Sequence, residues 1–160
     1  MDSTEVAGNR DGTITGIKLK LIQDLGSYHQ LPPPAIPTRS VLMMPGLYTC
    51  RNIRADIVGA FTNAVPTDAY RGAGRPEANY LVERLVDAAA RELKIDRIEL
   101  RRRNMVPPSA MPHATPLGNT HDNGYFQFVL EAALTTTDYS LFAARTAATP
   151  AQGNPRRRGL

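Results

Sequence analysis

The chain of 160 residues has the length of one ordinary domain, carries a net charge of +4 and contains a single cysteine, Cys50. One thiol excludes an internal disulfide, a cysteine-rich metal site and an iron–sulfur cluster held by this chain alone. The opening residues lack the pattern of a signal peptide, and no window reaches the roughly 18 apolar residues of a membrane span. We therefore expect a cytoplasmic protein.

The first part of the chain predicts two strands after a polar start. Residues 1–9 are polar and are expected to be loose. Over residues 13–22 apolar and basic side chains alternate, which is typical of a half-buried strand, and residues 53–62 predict a second one. Prolines crowd residues 31–37, and because proline has no amide donor we expect a rigid connector there and not a helix. The short apolar run that follows, at 41–44, leaves its type open.

Two adjacent helices are predicted next. Residues 76–93 place six apolar side chains on one helical stripe and an Asp87–Arg91 ion pair on the opposite face. Residues 96–99 have the spacing of a capping box, so a second helix is expected to run to Asn104.

The remainder of the chain mixes a loop, helices and a tail. Residues 109–123 form a long loop that contains proline and glycine. Helices are predicted at 126–134 and 137–144, and residues 146–160 have the composition of a disordered tail. Strands followed by two to four helices indicate an α+β fold.

The segment that joins the second strand to the strongest helix is a candidate ligand-binding loop. We call residues 67–77, TDAYRGAGRPE, the glycine loop. Gly72 and Gly74 flank Ala73, so the backbone has little side-chain cover, and Pro76 suits the first position of a helix. The free amides of a helix's first turn, with two nearby arginines, favour an anion. An ordinary tight turn is the alternative, because the spacing matches neither a P-loop nor a dinucleotide motif.

The amino-acid sequence of the glycine loop resembles that of a known family. AYRGAGRPE at residues 69–77 closely resembles a loop of the molybdopterin-binding large subunit of molybdenum hydroxylases. This is the xanthine dehydrogenase and aldehyde oxidase family, and the similarity is to its carbon monoxide dehydrogenase-like branch. Further segments match in the family's order at residues 10–16, 24–28, 62–66, 83–84, 87, 96–104 and 121–124.

The resemblance implies how the chain is organised. Residues 1–66 are expected to be the end of a first molybdopterin-binding subdomain. Residues 67–145 are expected to hold the cofactor loop and the helical start of a second subdomain, and 146–160 a truncated tail. The sequence is thus expected to be a fragment of a large subunit.

The resemblance also implies site residues. Arg71, Gly72, Ala73 and Gly74 are expected to bind a molybdenum–molybdopterin cofactor, in its cytosine dinucleotide form. Such a group is anionic and favours N–H donors and a guanidinium, although a surface arginine in a turn is the alternative. Arg39 falls where purine-hydroxylating members have a substrate-orienting arginine, and an exposed loop arginine is the alternative there.

Two of these positions bear on the substrate. At Gly72 the carbon monoxide dehydrogenases carry a copper-bridging cysteine, and without a thiolate soft copper lacks its preferred ligand. At Ala73 purine hydroxylases have an aromatic ring that stacks on the substrate, and a methyl group offers no such face. The remaining expectation is an aldehyde or a heterocycle.

The family's activity implies partners that this chain would need. Oxidative hydroxylation would pass electrons from molybdenum through 2Fe–2S clusters in a small subunit to FAD in a medium subunit. The remaining large-subunit segments would complete the site. The family's glutamate base has no counterpart here, so no catalytic residue is predicted and the chain alone is expected to be inactive. The alternative is a non-catalytic remnant or a small basic interaction domain.

For the histidines, the cysteine and the arginine triplet, the sequence favours structural or surface roles over reactive sites. His29, His113 and His121 lack the spacing of metal ligands. Cys50 lies beside a basic residue that would lower its pKa, but a small buried hydrophobe is the favoured interpretation. The arginine triplet at 101–103 has no interleaved aromatic residues, so we expect a solvated face or subunit contact and not a nucleic-acid site.

Overall fold

The computed structural model describes residues 3–148. The chain divides into two compact units, Met1–Gly124 and Tyr125–Leu160. The first unit holds all the strands and three of the helices, and the second unit is helical over the residues described. The α+β class predicted from the sequence is confirmed.

A three-stranded sheet forms one layer of the first unit. Strands β1 (Ser3–Gly8) and β2 (Ile14–Gly26) form an antiparallel hairpin, and β3 (Asn52–Phe61) pairs in parallel with β2, giving the order β1-β2-β3. The prediction that residues 1–9 are loose is wrong for residues 3–8, and residues 1–2 lie outside the described part of the chain. Strand β1 lies at the edge of the sheet, so its backbone pairs with β2 while none of its residues is fully buried.

The crossover between the parallel strands contains a helix that the sequence argued against. Helix α1 spans Pro32–Met43. Its first three positions are prolines, and the amides of a helix's first turn have no intrahelical acceptor, so these prolines remove no hydrogen bond. Pro37 lies inside the helix, but Pro33, Pro37 and Val41 are buried along one face. This apolar stripe offsets the missing donor, and the rigid-connector prediction is wrong.

Two helices pack behind the sheet. Helix α2 spans Arg75–Leu93 and α3 spans Arg97–Asn104, both close to the predicted bounds. Asp96 caps α3 by accepting hydrogen bonds from the amides of Ile98 and Glu99, as the capping spacing predicted. The core contains the inward side chains of β2 and the buried faces of the helices, among them Ile17, Leu19, Leu21, Val41, Ala78, Val82, Val86, Ile98 and Leu100.

The segment after α3 carries more structure than a loop. A 3-10 turn spans Pro108–Ala110, and strands β4 (His113–Ala114) and β5 (Thr120–His121) form a short antiparallel hairpin. The hairpin is too short to show a period-two pattern, so the sequence predicted only a loop.

The second unit contains α4 (Phe126–Thr136), a 3-10 turn (Tyr139–Leu141) and α5 (Phe142–Ala148). The prediction of a helix at 137–144 is therefore wrong in its bounds, and residues 146–148, assigned to the tail, are helical. The rest of the predicted tail, 149–160, lies outside the described residues. Across 3–148, the helices are all too short or too polar to cross a bilayer.

A candidate cofactor-binding loop

The chain that enters the glycine loop is fixed to the end of β2. The carboxylate of Asp24 accepts hydrogen bonds at 2.7 Å from the amide of Gly26 and at 2.7 Å from the hydroxyl of Thr62. The hydroxyl of Thr67 donates to the Asp24 carbonyl at 3.3 Å. The Gly26 amide and then the Thr62 hydroxyl stabilise the charged carboxylate, which lowers the pKa of Asp24. Asp24 therefore sets where the loop begins.

Gly26 allows this approach of two backbones. It has a φ of +70°, and a Cβ there would lie 2.5 Å from the nitrogen and Cα of Pro66. The amide of Ser27 donates to the carbonyl of Ala64 at 3.0 Å, which continues the contact. Only glycine fits this position, because both the left-handed backbone and the contact exclude a side chain.

The far end of the glycine loop is fixed against α1. Gly72, Ala73 and Gly74 have φ values of +110°, +43° and +95°, so three consecutive residues adopt positive φ. Gly74 is buried, and a Cβ there would lie 2.3 Å from the carbonyl oxygen of Ile36 and 2.7 Å from the hydroxyl of Ser40. Packing against α1 explains why this position is glycine. Gly74 therefore attaches the loop to α1 and supports the exposed residues before it.

The exposed part of the loop offers unused hydrogen-bond donors. The amide of Ala73 donates to the Tyr70 carbonyl at 3.0 Å, and that of Arg75 donates to the Gly72 carbonyl at 3.1 Å. Within residues 3–148, the amides of Arg71 and Gly72 have no acceptor. Arg71 is exposed and Gly72 is half-buried. A small anionic group could therefore approach these two amides and the Arg71 guanidinium together.

Arg39 lies on α1, and its side chain is exposed. It lies between the buried residues Pro37 and Val41 and directly precedes Ser40, whose hydroxyl would lie 2.7 Å from a Cβ at Gly74. Among the described residues its side chain forms no hydrogen bond or ion pair. Its assignment to substrate binding stays a prediction.

An ionic network anchors α2, the helix that follows the glycine loop. Arg101 is 5% exposed at its side chain and donates to Glu83 at 2.6 Å and to Asp87 at 2.9 Å. Tyr48 donates its hydroxyl to the other Glu83 oxygen at 2.9 Å. Burial, and next the charge of Glu83, raise the pKa of Tyr48. The expectation that residues 101–103 form a solvated face is wrong for Arg101, which joins α3 to α2.

The same network shows that the predicted Asp87–Arg91 ion pair is wrong. Asp87 was expected to pair with Arg91 on its own helix, but its two oxygens bind Arg101 and, at 2.6 Å, Arg97. Both partners lie one turn apart on α3, so they meet the carboxylate from a neighbouring element. A helical i,i+4 pattern cannot show this preference, although two acids on α2 and two arginines on α3 at the same spacing were a signal for it.

The remaining candidates do not form a second reactive centre. The rings of His113 and His121 stack across the β4–β5 hairpin with centroids 6.3 Å apart. Within residues 3–148, no group of three metal-ligating side chains comes together. Cys50 is buried, and burial raises the pKa of its thiol, so the interpretation as a small buried hydrophobe is confirmed.

Comparison with known proteins identifies the fold to which this loop belongs. A family profile described as "Molybdopterin cofactor-binding domain" matches residues 2–105, a span that includes the whole glycine loop. The chain belongs to this family. This match confirms the resemblance inferred from the sequence.

Two similar proteins are named as a large chain and a large subunit. The domain is 31% identical over 153 residues to the carbon monoxide dehydrogenase large chain of Hydrogenophaga pseudoflava, covering 94% of this chain and 19% of that protein. It is 32% identical over 145 residues to the nicotine 6-hydroxylase large subunit of Paenarthrobacter nicotinovorans, covering 88% of this chain and 17% of that protein. The chain therefore spans only a small part of the length of these curated relatives.

Solved structures agree with these matches. Quinoline 2-oxidoreductase from Pseudomonas putida 86 superimposes with a TM-score of 0.86 and 28% identity, over 95% of this chain and 20% of that one. The Cu,Mo-CO dehydrogenase superimposes with a TM-score of 0.84 and 27% identity, over 93% of this chain and 19% of that one. The chain therefore shares the overall backbone fold of these two structures.

Proposed function

We propose that this domain presents residues 71–74 to the molybdenum–pterin group of a molybdenum hydroxylase. The observation that carries the proposal is the pair of unused amides at Arg71 and Gly72, beside an exposed guanidinium. Both ends of the loop are fixed, at Asp24 on one side and under Gly74 on the other. The donors are thus held in place before a ligand arrives, which reduces the entropy lost on binding.

The residues present fit an anionic cofactor. Gly72 and Ala73 leave the backbone nearly bare, so a ligand can approach the amides without meeting a long side chain. Arg71 forms no ion pair within the described part of the chain, and its charge is therefore available to balance a negative ligand. When bound, the molybdenum–pterin group would supply the oxidative hydroxylation of an electron-poor carbon. The role of this chain is to bind and orient that group.

The proposed substrate class is an aldehyde or a heterocycle. Gly72 provides no thiolate for a copper ion, and Ala73 provides no aromatic face for a purine. Two similar proteins are named for nicotine and quinoline, and both of those compounds are heterocycles. We retain Arg39 as a proposed substrate contact, because it is an exposed cation on the helix that supports the loop.

The proposed assembly contains several further parts. Residues 1–66 and 67–145 would belong to two successive molybdopterin-binding subdomains, completed by further large-subunit segments. A 2Fe–2S small subunit and an FAD-binding medium subunit would carry the electrons away, and the cofactor would be the cytosine dinucleotide form. The names of the relatives, large chain and large subunit, support such an assembly.

Metal and pterin analysis tests this proposal. The full chain would be co-expressed with its neighbouring reading frames, purified as a complex, and assayed for molybdenum by mass spectrometry and for pterin by fluorescence. We expect both in the complex, and we expect Arg71→Ala to reduce both several-fold, by the loss of a charge-assisted contact. Arg84→Ala, an exposed arginine on α2, is the matched control and should retain the wild-type content. A wild-type complex without molybdenum or pterin would overturn the proposal in favour of a remnant without cofactor.

A further inference from the structure

A cleft of about 350 Å³ lies beside the glycine loop and outside the proposed cofactor contacts. One wall is the end of α1, the second is the first two turns of α2, and the third is the β4–β5 hairpin. Arg75 and Asn79 project from α2 into this lining, one helical turn apart, and Thr120 and His121 face them from the hairpin. The volume is at the lower end of the roughly 300–1,000 Å³ of small-molecule sites.

Hydrogen bonds hold the hairpin against α1, so the cleft is preformed. The side-chain amide of Asn119 donates to the Leu42 carbonyl at 2.7 Å. The Nε2 atom of His121 lies 3.0 Å from the Gly46 carbonyl oxygen. These contacts engage the Leu42 carbonyl in the last turn of α1 and the Gly46 carbonyl just after that helix, which would otherwise repel a negative ligand. The walls therefore come from three elements that are already joined.

The lining carries positive charge and unused donors. Arg75 contributes a guanidinium whose bond to the Gly72 carbonyl is long, at 3.4 Å, and no carboxylate of the described residues lines the cleft. The next acid along this side of α2, Glu83, is bound by Arg101. Among residues 3–148, the side-chain amide of Asn79 and the hydroxyl of Thr120 have no hydrogen-bond partner. A guanidinium, an amide and a hydroxyl around one space suit an oxyanion.

We propose that this cleft binds a small oxyanion, a phosphate or carboxylate group of a small molecule. Arg75 would be its main contact, and Asn79 and Thr120 would donate further hydrogen bonds. Because Arg75 directly follows Gly74, a ligand in the cleft would also restrain the first turn of α2, which is the end of the glycine loop. Binding can be measured on the full chain without molybdenum, so its outcome is independent of the proposed cofactor function.

The test is a titration of the ¹⁵N-labelled full chain followed by amide chemical shifts. One arm uses inorganic phosphate and a second uses sodium acetate, both at constant ionic strength. We expect saturable shifts confined to residues 42–46, 75–79 and 115–121. Arg75→Gln should weaken binding about tenfold or more, because a hydrogen bond to a charged group is lost. Asn79→Leu should weaken it by filling the cleft, and Arg84→Gln, on the same helix outside the cleft, should bind as the wild type does.

The two arms also separate the sources of the oxyanion. Saturation by phosphate alone would assign a phosphate group, by acetate alone a carboxylate, and by both an oxyanion in general. Shifts that do not saturate, or that spread over the whole chain, would overturn the proposal. So would equal binding by the Arg75→Gln and Arg84→Gln variants. Well-dispersed spectra of each variant, recorded before titration, show that the fold is retained.

Discussion

Replacing Arg101 with methionine should destabilise the domain much more than the same change at Arg102. Arg101 is 5% exposed at its side chain and holds the carboxylates of Glu83 and Asp87, whereas Arg102 is 38% exposed and lies 3.9 Å from Glu99. Methionine preserves most of the side-chain volume, so the variants differ mainly in the loss of charge and hydrogen bonds.

The magnitude follows from what Arg101 leaves behind. Removing one partner of a buried ion pair typically costs about 3–5 kcal/mol, because the other charge stays buried without compensation. Asp87 is 18% exposed and retains Arg97, and Glu83 is 33% exposed and can regain water. Both effects reduce the penalty, so we expect about 3 kcal/mol for Arg101→Met. For Arg102→Met we expect about 0.5 kcal/mol, as for other surface pairs.

Urea unfolding at pH 7, followed by far-ultraviolet circular dichroism, measures both variants against the wild type. A double variant, Arg101→Met with Glu83→Gln, should lose less than the sum of the single changes, because the second change removes the unpaired charge. Equal midpoints for Arg101→Met and Arg102→Met would refute the reasoning, since they would show that the ion pairs between α2 and α3 contribute nothing measurable.

Three further predictions concern the loop and its supports. Gly74→Ala should destabilise the domain by several kcal/mol, whereas Gly118→Ala, with a similar φ of +92° but open space around it, should cost about 1–2 kcal/mol in thermal unfolding. The folded state keeps the Tyr48 proton above pH 10, where the unfolded chain loses it, so stability should fall as pH rises beyond the ordinary pKa of 10.0, and less steeply in Tyr48→Phe. Asp24 has a lowered pKa, so its contribution is present above its ordinary value of 3.8 and is lost as pH falls through the folded-state pKa. As pH falls below 3.8, unfolding should therefore depend less on pH in Asp24→Asn.

Local sequence patterns predicted those helices and strands whose structure is determined by residues within the segment itself. The alternation in β2 and the apolar stripe in α2 recur within one segment, and both elements form near the expected residues. The prolines of α1 misled because proline is unfavourable only inside a helix, and the first three lie at the start of one. Strand β1 was missed because an edge strand needs only a partner's backbone, and polar side chains do not reveal that partner.

The candidate site also has a part that the local sequence predicted and a part that it did not. The bare loop at Gly72–Ala73 and the helix start after it were visible in the sequence as glycine followed by proline. The contacts that support the loop were not, because Asp24 reaches Thr62 across 38 residues. Likewise, Arg101 binds Glu83 across 18 residues and looked like part of a solvated triplet. Long-range partners depend on the packing of helices and strands, which no local spacing encodes.

Hydrogen exchange of the complex, with and without its cofactor, tests the central claim most directly. The co-expressed complex would be prepared from a host that makes the molybdenum cofactor and from one that does not, then compared by mass spectrometry of peptic peptides. The amides of Arg71 and Gly72 have no acceptor within residues 3–148, so we predict slower exchange over residues 70–77 when the cofactor is present. Residues 115–120 of the hairpin should not change. Identical exchange over 70–77 in the two preparations would contradict the assignment of this loop to the molybdenum–pterin group.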